Sequence, residues 1–195
     1  MGKLVSSRLP SRWGEYTISA FGDEGDAFPH VVLHRGLSAF DAENPVPVRI
    51  HSECMTGDVF GSARCDCGEQ LSQSLEHFKE HGGALVYLRQ EGRGIGLVEK
   101  LRAYNRQDEG LDTFEANRAG GHDDDARNYD DAVGILKELG IENVLLLTNN
   151  PLKISALRQS GLSVVRQKCV APVTTDNADY LKAKAEITGH LFSTD

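Results

Sequence analysis

No stretch of this 195-residue chain stays apolar long enough to cross a bilayer, and its formal net charge of −8 leaves no broad basic face for nucleic acid or anionic lipid. Neither kind of partner is expected. The opening Met1-Gly2-Lys3-Leu4-Val5-Ser6 lacks the apolar core of an export signal, so a cytoplasmic location is the expectation. No Ser-rich or Pro-rich linker and no internal repeat divides the chain, whose length suits one well-buried domain or two small lobes. In so acidic a protein a polyphosphate ligand needs a local basic patch, for which Arg49, Arg93, Arg127 and Lys153 are the candidates.

Cysteine is scarce, yet three of the four cysteines, Cys54, Cys65 and Cys67, fall within fourteen positions as C-x10-C-x-C. In a reducing compartment metal binding is a commoner use for such thiols than disulfide formation. Three thiolates fill three corners of a zinc tetrahedron and leave the fourth open to water, as in a catalytic rather than a closed structural site. Spacing alone leaves two other readings open: clustered buried thiols with no ion, and a structural zinc completed by His51 or Cys169. A three-thiolate zinc site carries a formal charge of −1 and polarises water weakly, so a nearby base or hydrogen-bond acceptor would have to assist.

The pattern of apolar residues predicts a mixed α/β fold, with N-terminal antiparallel strands followed by alternating strands and helices around the zinc site. Strands are expected at 13–21, 31–33 and 46–50, then a helix over 69–81 that buries Leu71, Leu75 and Phe78 and stops at Gly82-Gly83. Beyond it come a strand at 84–88, helices at 95–106 and 126–139, a strand at 143–148, a helix opened by Pro151 and closed by Gly161, and a strand at 162–166. A last helix is expected over 177–192.

Glu91-Gly92-Arg93-Gly94 falls between a predicted strand and a helix, where glycines admit a ligand and free amides attract anions; a plain tight turn is the alternative. Thr148-Asn149-Asn150-Pro151-Leu152-Lys153 repeats the arrangement, with Lys153 as a point charge for phosphate or an exposed lysine after a capped turn. Asp125 and Arg127 read by themselves as the cap and first turn of the next helix, and Tyr104 as a half-buried aromatic.

Taken together, the segment from Arg49 to Gly68, the run from Arg89 to Leu97, Asp112-Thr113-Phe114-Glu115-Ala116-Asn117, Leu147-Thr148-Asn149-Asn150-Pro151 and Gly189-His190-Leu191 closely resemble the motifs of GTP cyclohydrolase II, in that family's order. The resemblance covers nearly the whole chain and implies a single domain over residues 1–195. It implies a zinc-dependent enzyme with Cys54, Cys65 and Cys67 as ligands, which opens the imidazole ring of GTP at C8 and releases formate and pyrophosphate. The product would be 2,5-diamino-6-ribosylamino-4(3H)-pyrimidinone 5′-phosphate, at the first step of riboflavin synthesis. The resemblance assigns nucleotide contacts to Arg49, Ile50, His51, Ser52, Glu53, Gln70, Glu91, Gly92, Arg93, Thr113, Thr148 and Lys153. It makes Asp125 the proton acceptor, Arg127 the nucleophile toward the α-phosphorus and Tyr104 a neighbour of the reacting base, with Mg2+ on the triphosphate and a homodimeric assembly. A guanidinium has no free lone pair, so stabilising phosphoryl charge is the more ordinary task for Arg127.

The chain departs from the family where most members carry Leu-Gly-Phe: here stand Gly120-Gly121-His122, followed by Asp123-Asp124-Asp125. The loss of two apolar anchors predicts a looser loop before Arg127. Two rival activities share the same motifs: an enzyme that stops at the formamide, and a zinc-stabilised nucleotide binder without turnover.

Overall fold

The computed structural model describes residues 1–121, 127–169, 173–175, 177, 178 and 182 of the chain. Two compact units account for it. The first comprises Met1–His51, Leu71–Arg89 and Tyr129–Cys169, and the second Ser52–Gln70, Gln90–Asn128 and Val170–Asp195.

The first unit is built on a seven-stranded mixed sheet: β1 (Gly2–Ser11), β2 (Gly14–Gly22), β3 (His30–Arg35), β4 (Val46–Ser52), β5 (Gly83–Leu88), β6 (Asn143–Leu147) and β7 (Ser163–Gln167), in the order β1-β2-β3-β5-β4-β6-β7. The first three strands and β5 pair antiparallel, whereas β4, β6 and β7 pair parallel. β4 lies between β5 and β6 and pairs parallel with β6, so β5 separates it from the N-terminal strand β3 that precedes it in sequence. Its six consecutive buried residues are the mark of a strand covered on both faces, which suits the parallel half.

Alternation along the strands divides the apolar side chains between two faces. Phe21, Val32, Val48, Ile50, Val86 and Leu146 lie in the larger core with Ile135 and Leu136 of helix α5 (Asp130–Glu138) and Leu157 of α6 (Pro151–Gln159). Tyr16, Leu85 and Leu147 pack in a second cluster with Leu75 and Phe78 of helix α2 (Cys67–His81), and the buried Tyr16 hydroxyl donates to the Leu75 carbonyl at 2.8 Å.

Strand β1 gave no sequence signal because most of its residues are exposed, so no apolar alternation is selected. Lys3, Arg8 and Pro10 are typical of an edge strand. Helix α5 begins at Asp130, not at 126, with the acidic pair Asp130 and Asp131 in its first turn complementing the helix dipole. Arg127 therefore precedes the helix, and the expectation that it sits in the first turn is corrected.

In the second unit a short helix α1 (Met55–Asp58) precedes the first turn of α2, and a tight turn at Glu91–Gly94 leads into α3 (Leu97–Asp108). A further helix, α4 (Thr113–Ala119), was not anticipated. Its start is a reciprocal capping pair: the Glu115 amide donates to Asp112 Oδ1 at 2.8 Å, and the Asp112 amide to Glu115 Oε2 at 3.0 Å. Gly120 and Gly121, expected to loosen the following loop, are turn residues ending α4, with amides donating to the carbonyls of Asn117 and Arg118. The stretch 122–126, with Asp125 and His122, and most of the helix expected over 177–192 lie outside the described residues. No helix among the described residues is long and apolar enough to cross a membrane.

The start of β5 requires glycine. Gly83 has φ 135, and a Cβ there would stand 2.5 Å from the Pro47 carbonyl oxygen and 2.6 Å from the Phe78 ring. Gly83→Ala should destabilise the protein by about 2–4 kcal/mol through combined backbone strain and overpacking. Gly134 is exposed in α5, and a Cβ there would meet only the Met1 methyl, at 3.9 Å, so Gly134→Ala should stabilise by about 0.5–1 kcal/mol. Urea denaturation of both variants checks the pair.

Candidate metal centre

Strand β4 delivers the chain to Cys54, and the turn of α1 brings it back toward Cys65 and Cys67 within the second unit. The sulfurs of Cys54, Cys65 and Cys67 all lie within 4.8 Å of one another, with Cys54 and Cys65 at 3.6 Å. Two sulfurs bound at about 2.3 Å to one tetrahedral zinc would be about 3.8 Å apart, so the spacing fits a shared ion. Gly57 forms a wall of this cradle: a Cβ there would meet Cys65 Sγ at 2.9 Å and Cys54 Sγ at 3.2 Å. Among the described residues this is the one cluster of three or more metal-ligating side chains. His51 and Cys169, the sequence's candidates for a fourth ligand, belong to the first unit and are not members of it.

Hydrogen bonds fix the ligand loop. The Cys54 amide donates to Asp58 Oδ2 at 3.0 Å, and the Asp58 amide returns to the Cys54 carbonyl at 2.7 Å. Lys100 Nζ donates to Cys54 Sγ at 3.1 Å and to Glu91 Oε1 at 2.8 Å, and Glu91 Oε2 accepts the Met55 amide at 2.6 Å. Tyr104 reaches the same sulfur through one residue, its hydroxyl 3.3 Å from Thr56 Oγ1, which is 3.7 Å from Cys54 Sγ. Arg64 lies over the Tyr104 ring at 4.8 Å and pairs with Asp108.

These contacts favour one negative charge among the three sulfurs. Hydrogen bonds from Cys65 and Cys67 lower the Cys54 thiol far below its usual range against the opposing effect of burial, and the Lys100 charge adds to them. The Cys54 thiolate in turn pushes Cys65 up to about 11, and Cys67 rises for the same reason. Burial raises Tyr104 despite the Thr56 and Lys100 contacts, so its phenol keeps its proton at neutral pH and can donate.

The remaining residues singled out in the sequence fall into two groups. In the first unit, adjoining strand ends bring Arg49, Ile50, Thr148 and Lys153 together: Arg49 donates to the Leu147 carbonyl at 2.9 Å and Lys153 to the Ile50 carbonyl at 2.8 Å. The Ile50 side chain is core, His51 stacks on Tyr87, and Thr148 Oγ1 accepts the Asn150 amide. Lys153 is thus a buried cation facing Tyr129 at 5.6 Å, not an exposed lysine.

In the second unit, Gln70 donates to Asp66, between two of the cysteines, at 2.6 Å. Ser52 Oγ is buried with no hydrogen-bond partner among the described residues, and Glu53 is half-buried. Gly92 and Arg93 take up successive left-handed conformations, φ 63 and φ 61. Within the turn the Gly92 amide donates to Glu91 Oε1 at 2.7 Å. Arg127 is half-buried, Thr113 opens α4 with its side chain outside the described portion, and Asp125 lies outside it altogether.

Sequence reasoning missed Lys100, Thr56, Asp58 and Gly57. The available signal for Lys100 was a cation in the first turn of a helix, where the dipole opposes it.

The sequence profile of the GTP cyclohydrolase II family matches residues 3–169. The chain is 46% identical over 188 residues to the GTP cyclohydrolase-2 of Picrophilus torridus, covering 95% of this chain and 96% of that one. It is 47% identical over 195 residues to the GTP cyclohydrolase-2 of Neisseria meningitidis, covering 99% and 98%. To the riboflavin biosynthesis protein RibBA of Thermotoga maritima it is 48% identical over 191 residues, covering 97% of this chain and 48% of that longer one. Agreement over nearly the full length of two relatives, with the three cysteines assembled as a possible metal site, has one consequence: the chain belongs to the GTP cyclohydrolase II family and is a hydrolase.

Proposed function

We propose that this enzyme hydrolyses GTP to 2,5-diamino-6-ribosylamino-4(3H)-pyrimidinone 5′-phosphate, formate and pyrophosphate, as the first step of riboflavin synthesis. The observation that carries the reading is the three-sulfur cradle, with a phenol hydroxyl linked to it through Thr56. Zn2+ suits these ligands, and when bound it supplies the Lewis acidity that hydrolysis at C8 of guanine needs. Two waters are consumed in opening the ring and freeing formate, and a third in displacing pyrophosphate from the α-phosphorus.

The chain's own residues do the rest. Tyr104, protonated and oriented by Thr56, donates a hydrogen bond to the base as the ring opens. The Arg93 guanidinium, carried on the Glu91–Gly94 turn, receives phosphate oxygens. The family resemblance assigns further nucleotide contacts to Arg49, His51, Ser52, Glu53, Gln70, Thr113, Thr148 and Lys153. Ile50 contributes through its backbone, since its side chain is core. Asp125 positions or deprotonates a water, while Arg127 stabilises charge on the departing pyrophosphate, whose Mg2+ accompanies the substrate. We read the enzyme as one functional domain, homodimeric and cytoplasmic.

Metal binding should depend on Cys65 and not on Cys169. Cys65→Ser should abolish stoichiometric zinc, whereas Cys169→Ser should retain it, because among the described residues the three-sulfur cluster is Cys54, Cys65 and Cys67. Retention by the first and loss by the second contradicts the assignment. Cys65 and Cys67 hold their protons at neutral pH, so ligation by three thiolates should release about two protons, and affinity should rise with pH toward the Cys65 value of about 11. Calorimetry in buffers of different ionisation enthalpy reads the proton count.

The activity itself is tested by incubation with GTP and Mg2+. Formate and pyrophosphate should appear with the pyrimidine product, and ATP should give little of either, since groups matched to guanine are left unpaired against adenine. A new ultraviolet spectrum without formate would point to ring opening alone, and neither change to a binder.

A further inference from the structure

Lys100 lies in the first turn of α3, where the helix dipole disfavours a cation, yet its ammonium is largely withdrawn from solvent. Side-chain exposure is 12% for Lys100 and 11% for Glu91, its partner at 2.8 Å. A buried cation in this position needs compensation from more than one anion. It finds the second in the Cys54 sulfur, 3.1 Å from Nζ.

Glu91 is itself held, by the Met55 amide at 2.6 Å and the Gly92 amide at 2.7 Å. One carboxylate thus ties the residue after Cys54 to the turn that carries Arg93, and its ammonium partner points back at the cysteine. Removing Lys100 alone would leave Glu91 and a thiolate facing each other in a half-dry pocket with no cation between them.

We propose that Lys100, clamped by Glu91, is a positioning residue of the metal centre: its ammonium holds the Cys54 sulfur in place and offsets the negative charge of the three-thiolate set. The chemistry has two consequences. The charge left on the three sulfurs with a divalent ion is −1, and although Glu91 balances the ammonium overall, the positive end of that pair faces the Cys54 sulfur and offsets its charge locally. Hydrogen bonding to Cys54 also withdraws electron density from that sulfur, so a metal held there stays a better Lewis acid than three unassisted thiolates would make it. This is the assistance that a three-cysteine site requires. The inference rests on the reading of Cys54, Cys65 and Cys67 as metal ligands, and the test keeps the two apart.

The test compares wild type with Lys100→Met, Lys100→Arg and the double variant Lys100→Met/Glu91→Gln, with circular dichroism as a control on folding. Zinc affinity is measured by chelator competition, and the sulfur-to-metal charge-transfer band is recorded after loading with Co2+. Lys100→Met should bind zinc about ten- to hundred-fold more weakly. Its cobalt band should move to lower energy, because a sulfur freed of its hydrogen bond gives up an electron more easily. Lys100→Arg should stay near wild type in both measurements, and the double variant should recover part of the lost affinity. If Lys100→Met does not fold, Lys100→Gln takes its place. Affinities within two-fold of wild type together with an unmoved band would overturn the inference while leaving the ligand assignment intact. So would Met and Arg variants that behave alike. A wild-type chain that binds no metal overturns the ligand assignment and the inference with it.

Discussion

Three sulfurs that are to share one ion must be held within a few ångströms of one another, although their mutual repulsion as thiolates drives them apart. Much of the second unit answers this constraint. Gly57 has no Cβ because the space is taken by the sulfurs of Cys54 and Cys65. Gly68 has none because it would run into Gly57's carbonyl oxygen. Asp58 closes a turn back onto the Cys54 backbone, and α2 begins at Cys67 itself. The loop is short of side chains where the sulfurs converge and rich in hydrogen bonds around them, so the ligand geometry is set by the backbone rather than left to rotamers.

Charge is the second half of the constraint. The hydrogen-bond pattern assigns one thiolate to Cys54, and the nearest cation, Lys100, is fixed by a carboxylate whose other oxygen binds the chain beside that cysteine. Arrangements of this kind carry function as well as stability, because the same contacts that tolerate a buried negative site govern how strongly a bound ion draws on its ligands. Tyr104, reaching the same sulfur through Thr56, extends the network toward the place proposed for the substrate.

The sequence made the candidate ligands plain and their supports obscure, for physical reasons. Cys54, Cys65 and Cys67 stand out because thiols are rare and their clustering has few uses. Lys100 and Thr56 are common residue types whose meaning comes only from a fold that brings them to one sulfur. Strong apolar periodicity placed α2, α6, β5 and β6 within a residue or two, but β1, exposed along most of its length, carries no such pattern. The insertion of β5 between β3 and β4 was not legible, because a strand's neighbours depend on non-local pairing, although the burial of β4 was visible as Val46-Pro47-Val48. The capping pair Asp112 and Glu115 was a legible helix start that passed unread inside a longer motif. Family resemblance, in contrast, reached the assignment directly, and the full-length relatives uphold it.

The most direct test of the central claim, a three-sulfur centre with one position left for chemistry, is X-ray absorption spectroscopy at the zinc edge of the loaded enzyme. Three sulfur scatterers at roughly 2.3 Å and one oxygen or nitrogen at about 2.0–2.2 Å are expected. Four sulfurs would mean a closed structural site completed by Cys169, and two or fewer would remove the Cys54, Cys65 and Cys67 set; either result contradicts the account.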